Sequence, residues 1–459
     1  MSLSSAGFSV NELRLLFGAG VGKNVGHCIG VCTDSRSIRT GELFVALHGE
    51  IFDGHNFVEA VIAAGAATAV VERSRMAEFS TELPLISTED TLTALGNIAL
   101  FHRNRFDTQI LAIAGAAGKT STKDLVSHVL AHKFNVLKTK KNHNNRVGVP
   151  QTLLQLNDSH SIAVIEIGTN EPGEIAELCR IARPTHGLIT NIGKEHLEKL
   201  IDIDGAEREE CSLFDALQAS GGTALVNLDD NRLAKYKQLL QSTVTFGTNP
   251  AADVRASVAY DEELHPYITL RTAEATAEAV MQTVGRTAAM NAIAAAAAGV
   301  AFGMNLDEIA SALQTFSPPP ANGYGRMVIE QRGGYVLIND CYNANPESVT
   351  AALHTLSQYP AYGIRIAVLG DMRELGTHAA AEHDALLEAA AGLSNMVIAI
   401  GEEMRRAALR LNLKNICVST KDDAPRQISA LLADGAVLLV KGSRGLALED
   451  IILRLPASV

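Results

Sequence analysis

The chain has 459 residues, 47% of them hydrophobic and 20% charged, which is the composition of a globular protein with room for several hydrophobic cores. Lys and Arg number 39 against 51 Asp and Glu, so the formal net charge is −12. An acidic chain lacks the basic surface that nonspecific nucleic-acid binding needs, and we expect no nucleic-acid partner.

The six cysteines are scattered without a C-x-x-C pair, which indicates unpaired thiols in a reducing compartment. The first residues show no basic region followed by an apolar one, and no apolar run is long enough to span a bilayer. We therefore expect a cytoplasmic protein without a membrane span. Nothing in the sequence demands more than a monomer.

Strand-like and helix-like segments alternate along the chain, which predicts an α/β fold with mostly parallel sheets. We expect a small α/β domain at 1–86, a central domain with a P-loop-type sheet at 87–318 and a C-terminal Rossmann-like domain at 319–459. Helices are predicted over 10–17, 57–64, 91–103, 124–130 and 288–301, with a further acidic helix start at 207. Strands are predicted over 67–72, 110–114, 187–191, 335–338, 364–369, 396–400 and 436–440, and another one contains Glu166. The proline-rich stretch 317–325 is the predicted linker.

In the first domain, four polar residues follow a short apolar stretch. Their hydroxyls and guanidinium have the chemistry to hold a diphosphate or a uracil edge. Asp-Ser is also a common turn pair, and the arginine can simply pair with the aspartate, so the residues alone favour a turn. The four residues are Thr33, Asp34, Ser35 and Arg36.

A glycine-rich loop joins the predicted strand 110–114 to the predicted helix 124–130. Such a loop directs backbone N–H groups and the positive end of a helix dipole at phosphate, while a lysine and a threonine reach the β/γ-phosphates and Mg²⁺. The alternative is a tight turn that happens to carry Gly-Lys-Thr, because Ile113 stands where the first glycine of the full pattern belongs. The loop consists of Gly115, Ala116, Ala117, Gly118, Lys119, Thr120 and Ser121.

Polar side chains also follow the next predicted strands. The basic, amide-rich loop around Asn144 and Asn145 suits a polyanionic or sugar-bearing ligand, although a solvated loop with Asn turns explains it equally well. Glu166 lies within an apolar strand, where a carboxylate is costly unless it is paired or bound to a metal. His196 closely follows strand 187–191. Because the carboxyl ends of parallel strands share one edge, we expect these groups to serve the same ligand site.

In combination, these residues resemble the Mur ligase family of ATP-dependent amide ligases. The resemblance runs from Thr33 to Arg444, and its most discriminating segments are 144–150, 166–175 and 342–348. Within the family it is strongest to the members that add D-alanyl-D-alanine. The sister ligase that adds the third amino acid shares the N-terminal pattern but is expected to carry a different C-terminal signature.

The resemblance implies a reaction in the cytoplasmic stage of peptidoglycan synthesis. ATP would phosphorylate the terminal carboxylate of UDP-N-acetylmuramoyl-tripeptide, and the amine of D-alanyl-D-alanine would attack the resulting acyl phosphate. Lys119 would neutralise phosphate charge, Thr120 and Glu166 would hold one Mg²⁺, and His196 with Glu166 a second. The first domain, with residues 33–36, would hold the UDP end of the substrate.

Further roles follow from the same resemblance. Asn291, in the alanine-rich helix, would contact the adenine, and Arg326 and Asp340 the ribose and phosphates of ATP. The segment expected near the dipeptide contains Tyr342, Asn343, Asn345 and Ser348.

The chain departs from the family pattern at several positions. Ala116 replaces a hydroxyl residue of the loop, and Thr287-Ala288 replaces the usual His-Asn pair near the adenine. Glu210 stands where the family commonly has a carbamylated lysine, so we expect Glu210 to supply the carbamate's negative charge, through water, without a need for bicarbonate. Its alternative role is that of an acid favoured by the dipole at a helix start.

Two other functions stay open at this point. One is a related amide ligase with a different acid or amine, such as a folylpolyglutamate-type synthetase. The other is a nonenzymatic descendant that binds nucleotide. Residues 33–36 and 342–345 weigh against the first. The second is opposed by the retention of Lys119, Thr120, Glu166 and His196.

Overall fold

The computed structural model of the protein describes residues 6–49, 51–318 and 325–458, and the predicted linker falls mostly outside them. The strands are β1 Gly30–Cys32, β2 Glu42–Val45, β3 Thr68–Glu72, β4 Leu85–Thr88, β5 Gln109–Ala114, β6 Val136–Lys138, β7 Ile162–Glu166, β8 His186–Ile189, β9 Thr223–Asn227, β10 Thr243–Gly247, β11 Val254–Tyr260, β12 Pro266–Arg271, β13 Thr276–Val280, β14 Val328–Arg332, β15 Tyr335–Asn339, β16 Arg365–Gly370, β17 Met396–Ile400, β18 Ile416–Ser419 and β19 Ala436–Lys441.

The helices are α1 Val10–Phe17, α2 Val58–Ala63, α3 Thr91–Arg103, α4 Lys119–Ala131, α5 Gly148–Leu153, α6 Glu174–Ala182, α7 Leu197–Leu200, α8 Ile203–Ser220, α9 Asn231–Ala234, α10 Tyr236–Leu239, α11 Gly285–Ala301, α12 Leu306–Thr315, α13 Pro346–Gln358, α14 Ala379–Leu393, α15 Glu402–Leu411, α16 Ala424–Leu431 and α17 Glu449–Ile452. Within the described ranges, none of these helices combines the length and the apolar character that crossing a membrane requires.

The described residues form two compact units. Within the described residues, the first unit comprises 6–49, 51–112, 134–168 and 174–186, and the second comprises 113–133, 169–173, 187–318 and 325–458. The first unit contains a parallel four-stranded sheet in the order β1-β2-β3-β4, whose apolar side chains pack against α2. It also contains the parallel pair β6–β7, in which all five residues of β7 are buried while β6 is partly exposed.

The second unit contains the helix that follows the glycine-rich loop. Here β9, β10 and β11 pair in parallel, and β11, β12 and β13 continue as an antiparallel meander. Helix α11 packs against α4. Its residues from Ala289 to Ala298, most of them alanine, are buried, except Met290 and Asn291, which are partly exposed. Small side chains allow this close approach of two helices, which explains why an alanine-rich segment forms a core helix.

A six-stranded sheet completes the second unit, in the order β14-β15-β19-β16-β17-β18. All neighbours from β15 to β18 are parallel, and β14 is an antiparallel edge strand. One apolar cluster packs α13, α14 and α15 on one face, and a second packs α16 and α17 on the other. This arrangement is a doubly wound sheet, so ligand-binding groups are expected at the carboxyl ends of its strands.

The α/β fold with mostly parallel sheets is confirmed, and helices α1 and α3 have the predicted bounds. The helix start expected at Glu207 is wrong, because α8 begins at Ile203. The reason is a cap: the Asp202 side chain accepts a hydrogen bond of 2.7 Å from the backbone N–H of Gly205, which fixes the first turn there. The three domain boundaries stay predictions.

Candidate active site

The glycine-rich loop of the second unit leads from the end of β5 directly into α4, as the sequence predicts. Gly118 caps the helix at φ 81°, and Gly115 has φ 119°, so both lie in the left-handed region that favours glycine. A Cβ on Gly115 would lie 2.2 Å from the Thr190 hydroxyl oxygen. Only glycine fits at position 115 without a clash. The backbone can therefore turn sharply, so that the positive end of the α4 dipole lies at the end of β5.

The first amides of this loop do not face outward, which corrects the prediction for them. The N–H of Ala116 donates to the Asn191 carbonyl at 3.0 Å, and the N–H of Ala117 to the Asn191 side-chain oxygen at 3.1 Å. The N–H of Gly115 donates to Glu210 at 2.6 Å. These amides shape the loop, because a buried N–H without an acceptor is costly. The predicted phosphate contacts then rest on the residues at the start of α4, from Lys119 to Ser121.

Lys119 has a partner that the sequence did not indicate. Its ammonium donates to the carbonyl of Gly115 and to Glu195 Oε2, the latter at 3.1 Å. Glu195 is only 6% exposed. The sole sequence signal for it was its place beside His196, after a strand that ends near the loop.

Glu210 lies at the base of the loop and is fully buried. One carboxyl oxygen accepts from Gly115, and the other, like Glu195 Oε1, has no hydrogen-bond partner among the described residues. Burial raises the pKa of Glu210 well above its usual range, the nearby Glu195 charge raises it further, and Lys119 lowers it. Glu210 is the eighth residue of α8, so its alternative role as a helix-start acid is wrong.

His196 is anchored by Glu374, a residue from the C-terminal part of the second unit. It adopts φ 50°, and its Nδ1 lies 2.5 Å from Glu374 Oε2. This hydrogen bond is the main cause that lowers the pKa of Glu374. A carboxylate bonded to one ring nitrogen fixes the tautomer and orientation of an imidazole, which suits a metal ligand. The metal role of His196 itself stays a prediction.

Asn291 lies close to the loop. The hydroxyl of Thr122 in α4 donates to its Oδ1 at 3.1 Å, and a Cβ on Gly118 would come within 3.2 Å of the same oxygen. Asn291, the one polar side chain of the alanine-rich stretch 288–301, thus hydrogen-bonds the first turn of α4. Its predicted contact with adenine stays a prediction.

The predicted ATP and dipeptide residues of the six-stranded sheet contact one another. The guanidinium of Arg326 stacks 3.8 Å from the ring centre of Tyr342. Both oxygens of Asp340 have partners, because its Oδ2 pairs with Lys441 at 2.6 Å and its Oδ1 accepts from the N–H of Met327 at 3.0 Å. Lys441, which directly follows the predicted strand 436–440, was not predicted as a site residue.

The residues around Asn345 form a helix cap. Its Oδ1 accepts from the N–H of Ser348 at 2.9 Å, and its own N–H donates to the Ser348 hydroxyl at 3.1 Å, which completes a capping box at α13. The side-chain amide nitrogen of Asn345, Nδ2, donates to the carbonyl of Ala116 in the loop at 3.1 Å. Asn343 accepts from Lys441 at 3.0 Å through its carbonyl. Two residues predicted near the dipeptide therefore have structural roles that the sequence did not indicate.

In the first unit, the predicted turn at residues 33–36 is observed after β1. Asp34 and Arg36 pair at 2.9 Å on the surface, so this group forms the alternative arrangement that the sequence left open. The Thr33 hydroxyl instead accepts from the Gln151 side chain at 2.7 Å and lines a small cavity with Cys32 and Leu95. Ser35 is half-buried beside them.

The amide loop of the first unit positions Glu166. Asn144 donates to Glu166 Oε1 at 2.9 Å, and the backbone N–H of Glu166 donates to the Thr139 hydroxyl at 3.0 Å. A Cβ on Gly168 would lie 2.8 Å from the Asn144 amide nitrogen, so this glycine allows the close approach. Asn145 orders the turn before α5, because its Oδ1 accepts from the N–H of Gly148 at 2.9 Å. The ligand-binding roles of Asn144 and Asn145 stay predictions.

Comparisons with known proteins agree with this geometry. Three family models match: the Mur ligase family catalytic domain at 27–103, the Mur ligase middle domain at 113–299, and the Mur ligase glutamate ligase domain at 325–444. The UDP-N-acetylmuramoyl-tripeptide–D-alanyl-D-alanine ligases of Escherichia coli (strain K12) and Bacillus subtilis (strain 168) are each 33% identical to the chain, with 92% of both chains covered in each case.

Among solved structures, MurF from Acinetobacter baumannii has a TM-score of 0.89 at 29% identity and covers 98% of this chain and 99% of that one. The protein belongs to the Mur ligase family. The resemblance seen in the loop and strand-end residues thus extends over most of the chain.

Proposed function

We propose that this protein is an ATP-dependent ligase that joins D-alanyl-D-alanine to UDP-N-acetylmuramoyl-tripeptide and releases ADP and phosphate. It would act in the cytoplasmic stage of peptidoglycan synthesis, as a monomer. The observation that carries the proposal is the 33% identity over 92% of both chains with ligases of that name. The glycine-rich loop and Lys119, the first residue of α4, supply the positive charge at a helix start that such a ligase needs to bind phosphate.

A carboxylate resists attack by an amine until it carries a good leaving group. In the proposed reaction an oxygen of the tripeptide's terminal carboxylate bonds to the γ-phosphorus of ATP, and the bond to ADP breaks. The amine nitrogen of D-alanyl-D-alanine then bonds to the acyl carbon, loses a proton, and expels phosphate. Phosphoryl transfer depends mainly on positioning and charge neutralisation, and the ammonium of Lys119 beside the start of α4 provides both.

The second unit carries single groups that suit a divalent cation, although its described residues contain no cluster of three or more His, Cys, Asp or Glu side chains that could hold a metal ion. Thr120 contributes a hydroxyl at the start of α4, His196 an imidazole held by Glu374, and Glu210 a buried carboxyl oxygen without a partner among the described residues. Oxygen-rich donors of this kind are those that Mg²⁺ prefers. Thr120 and His196 keep their predicted roles, each at its own Mg²⁺, and bound Mg²⁺ would neutralise charge on the phosphates. Glu166 keeps its predicted metal role.

The remaining residues bind and orient. Residues 33–36 would hold the UDP end, and Asn144 would fix the carboxylate of Glu166, to which it already donates. Arg326, stacked on Tyr342, presents a cation for the nucleotide. Asn343 and Asn345 would contact the dipeptide from the start of α13. Asp340 keeps its predicted contact with ATP, although both of its oxygens also serve Lys441 and Met327.

The test is phosphate release from ATP with tripeptide substrates that end in lysine or diaminopimelate, with and without D-alanyl-D-alanine, and with mass spectrometry of the product. Release should require both the tripeptide and the dipeptide, and the product should contain one new amide bond. Absence of dipeptide-dependent release would refute the proposal. Release with a different acid or amine would instead favour a related amide ligase, and ADP binding without turnover a nonenzymatic descendant.

A matched pair of variants ties the activity to the loop. Lys119→Met should lower turnover by about a hundredfold or more, because it removes a charge that stabilises the transferring phosphoryl group. Lys133→Met makes the same chemical change just after the end of the same helix, where the lysine is exposed and contacts Gly303 and Glu308. That control should keep wild-type turnover.

A further inference from the structure

The ammonium of Lys119 is shared with a carboxylate of its own chain. Glu195 Oε2 lies 3.1 Å from the lysine nitrogen, and the two side chains are 7% and 14% exposed. An ion pair that is mostly shielded from water keeps more of its attraction than one on the surface. Any phosphate that binds Lys119 therefore meets an ammonium whose charge is already partly neutralised.

The neighbours of Glu195 determine where its side chain points. Lys194 is anchored at both ends, since its N–H donates to Glu347 at 2.8 Å and its ammonium pairs with Glu382 at 2.5 Å. His196 is anchored to Glu374. With both flanking side chains tied to the C-terminal part of the unit, Glu195 is left to face the loop.

Glu195, Lys119 and Glu210 surround Gly115. Lys119 holds the carbonyl of Gly115, Glu210 holds its N–H, and the carboxyls of Glu195 and Glu210 are close enough to influence each other. Among the described residues, Lys119 is the cation within ion-pair distance of Glu195. This carboxylate is thus one of the groups that hold the lysine in its position along the loop.

We propose that Glu195 is a positioning residue for Lys119, which draws the ammonium back along the loop and so weakens the binding of nucleotide phosphates. The inference rests on the proposed function only in that a nucleoside di- or triphosphate binds at this loop. Its consequence is a lower affinity for ADP, which favours release of that product after each turnover.

The experiment measures the dissociation constant of ADP by calorimetry for wild type, Glu195→Gln and Glu195→Asp. Glutamine keeps the size of the side chain and removes its charge, so ADP should bind about fivefold more tightly, the range that loss of one competing ion pair produces. The KM for ATP should fall in the same variant. Aspartate, with a shorter arm, should give an intermediate value. A variant that had merely damaged the loop would bind ADP more weakly.

The dependence on the lysine is tested in a second background. Glu195→Gln should not tighten ADP binding when Lys119 is already methionine, since no ammonium remains to be released. Glu198→Gln, three residues along the same segment and exposed, is the control for net charge and should leave binding unchanged.

The outcomes separate this inference from the function itself. Unchanged or weaker ADP binding by folded Glu195→Gln, or equal tightening in the methionine background, would overturn the role of Glu195 and leave the ligase proposal standing. Absence of ADP binding by the wild type would overturn both.

Discussion

The buried pair between Lys441 and Asp340 provides a sharp test of how the six-stranded sheet is stabilised. The two side chains meet at 2.6 Å and are only 3% and 11% exposed. At an effective dielectric constant near 20 their attraction is about 6 kcal/mol, most of which offsets the cost of removing both charges from water. Removing only the lysine leaves that cost without its compensation.

We therefore expect Lys441→Met to destabilise β15 and β19 by about 4 kcal/mol, a typical cost of leaving one partner of a buried pair. The lysine's second bond, to the Asn343 carbonyl at 3.0 Å, contributes part of this loss. The double variant Asp340→Asn with Lys441→Met should recover about half, because asparagine can still accept from Met327 without a buried charge.

The assay is native-state hydrogen exchange followed by mass spectrometry, which reports the opening free energy of each segment in a chain with more than one unit. Peptides that cover β15 and β19 should lose protection, whereas a peptide that covers β3 in the first unit serves as the internal reference and should not change. A loss below about 1 kcal/mol in β19, or an equal loss in β3, would refute the reasoning.

Two further predictions concern charge. Glu210→Gln should lower ligase turnover about tenfold while the loop stays folded, since the glutamine oxygen can still accept from Gly115; full activity would show that the carboxylate charge has no role, and stimulation of the wild type by bicarbonate would point to a carbamylated lysine elsewhere. In the first unit, burial lowers the pKa of His102 to about 4. The unfolded chain then binds more protons between pH 6.5 and pH 4, so stability is present above that window and is lost as the pH falls through it, by at most about 3 kcal/mol from this group. Urea unfolding across that window should show the slope, and His102→Gln should flatten it; an unchanged slope would contradict the assignment.

The sequence was informative where local pattern decides structure. The apolar run before Gly115 and the glycines after it predicted β5, the turn and α4, because each of these is selected by neighbouring residues. The alternation of strands and helices after residue 319 predicted a doubly wound sheet for the same reason. These features require no knowledge of distant contacts.

The partners of the charged residues were not predictable in this way. Glu195 and Lys441 are joined to Lys119 and Asp340 only through the tertiary fold, at sequence separations of 76 and 101 residues. The start of α8 was predicted wrongly because the acidic run at Glu207 has the composition of a helix start. The residue that caps the helix is Asp202, five positions earlier. Sequence patterns identify which groups carry chemistry more readily than which group each one contacts.

The hydrogen bond from Asn345 to the carbonyl of Ala116 has a mechanical consequence. It joins the cap of α13, where we expect the incoming amine, to the loop where we expect the phosphates. If these expectations hold, this amide group is one of the contacts that set the spacing between nucleophile and electrophile, together with the hydrogen bond from Lys194 to Glu347. A family member that accepts a bulkier amine would need a longer side chain, or a different contact, in place of this hydrogen bond. The residue at position 345 is therefore a place where the size of the accepted amine can be altered.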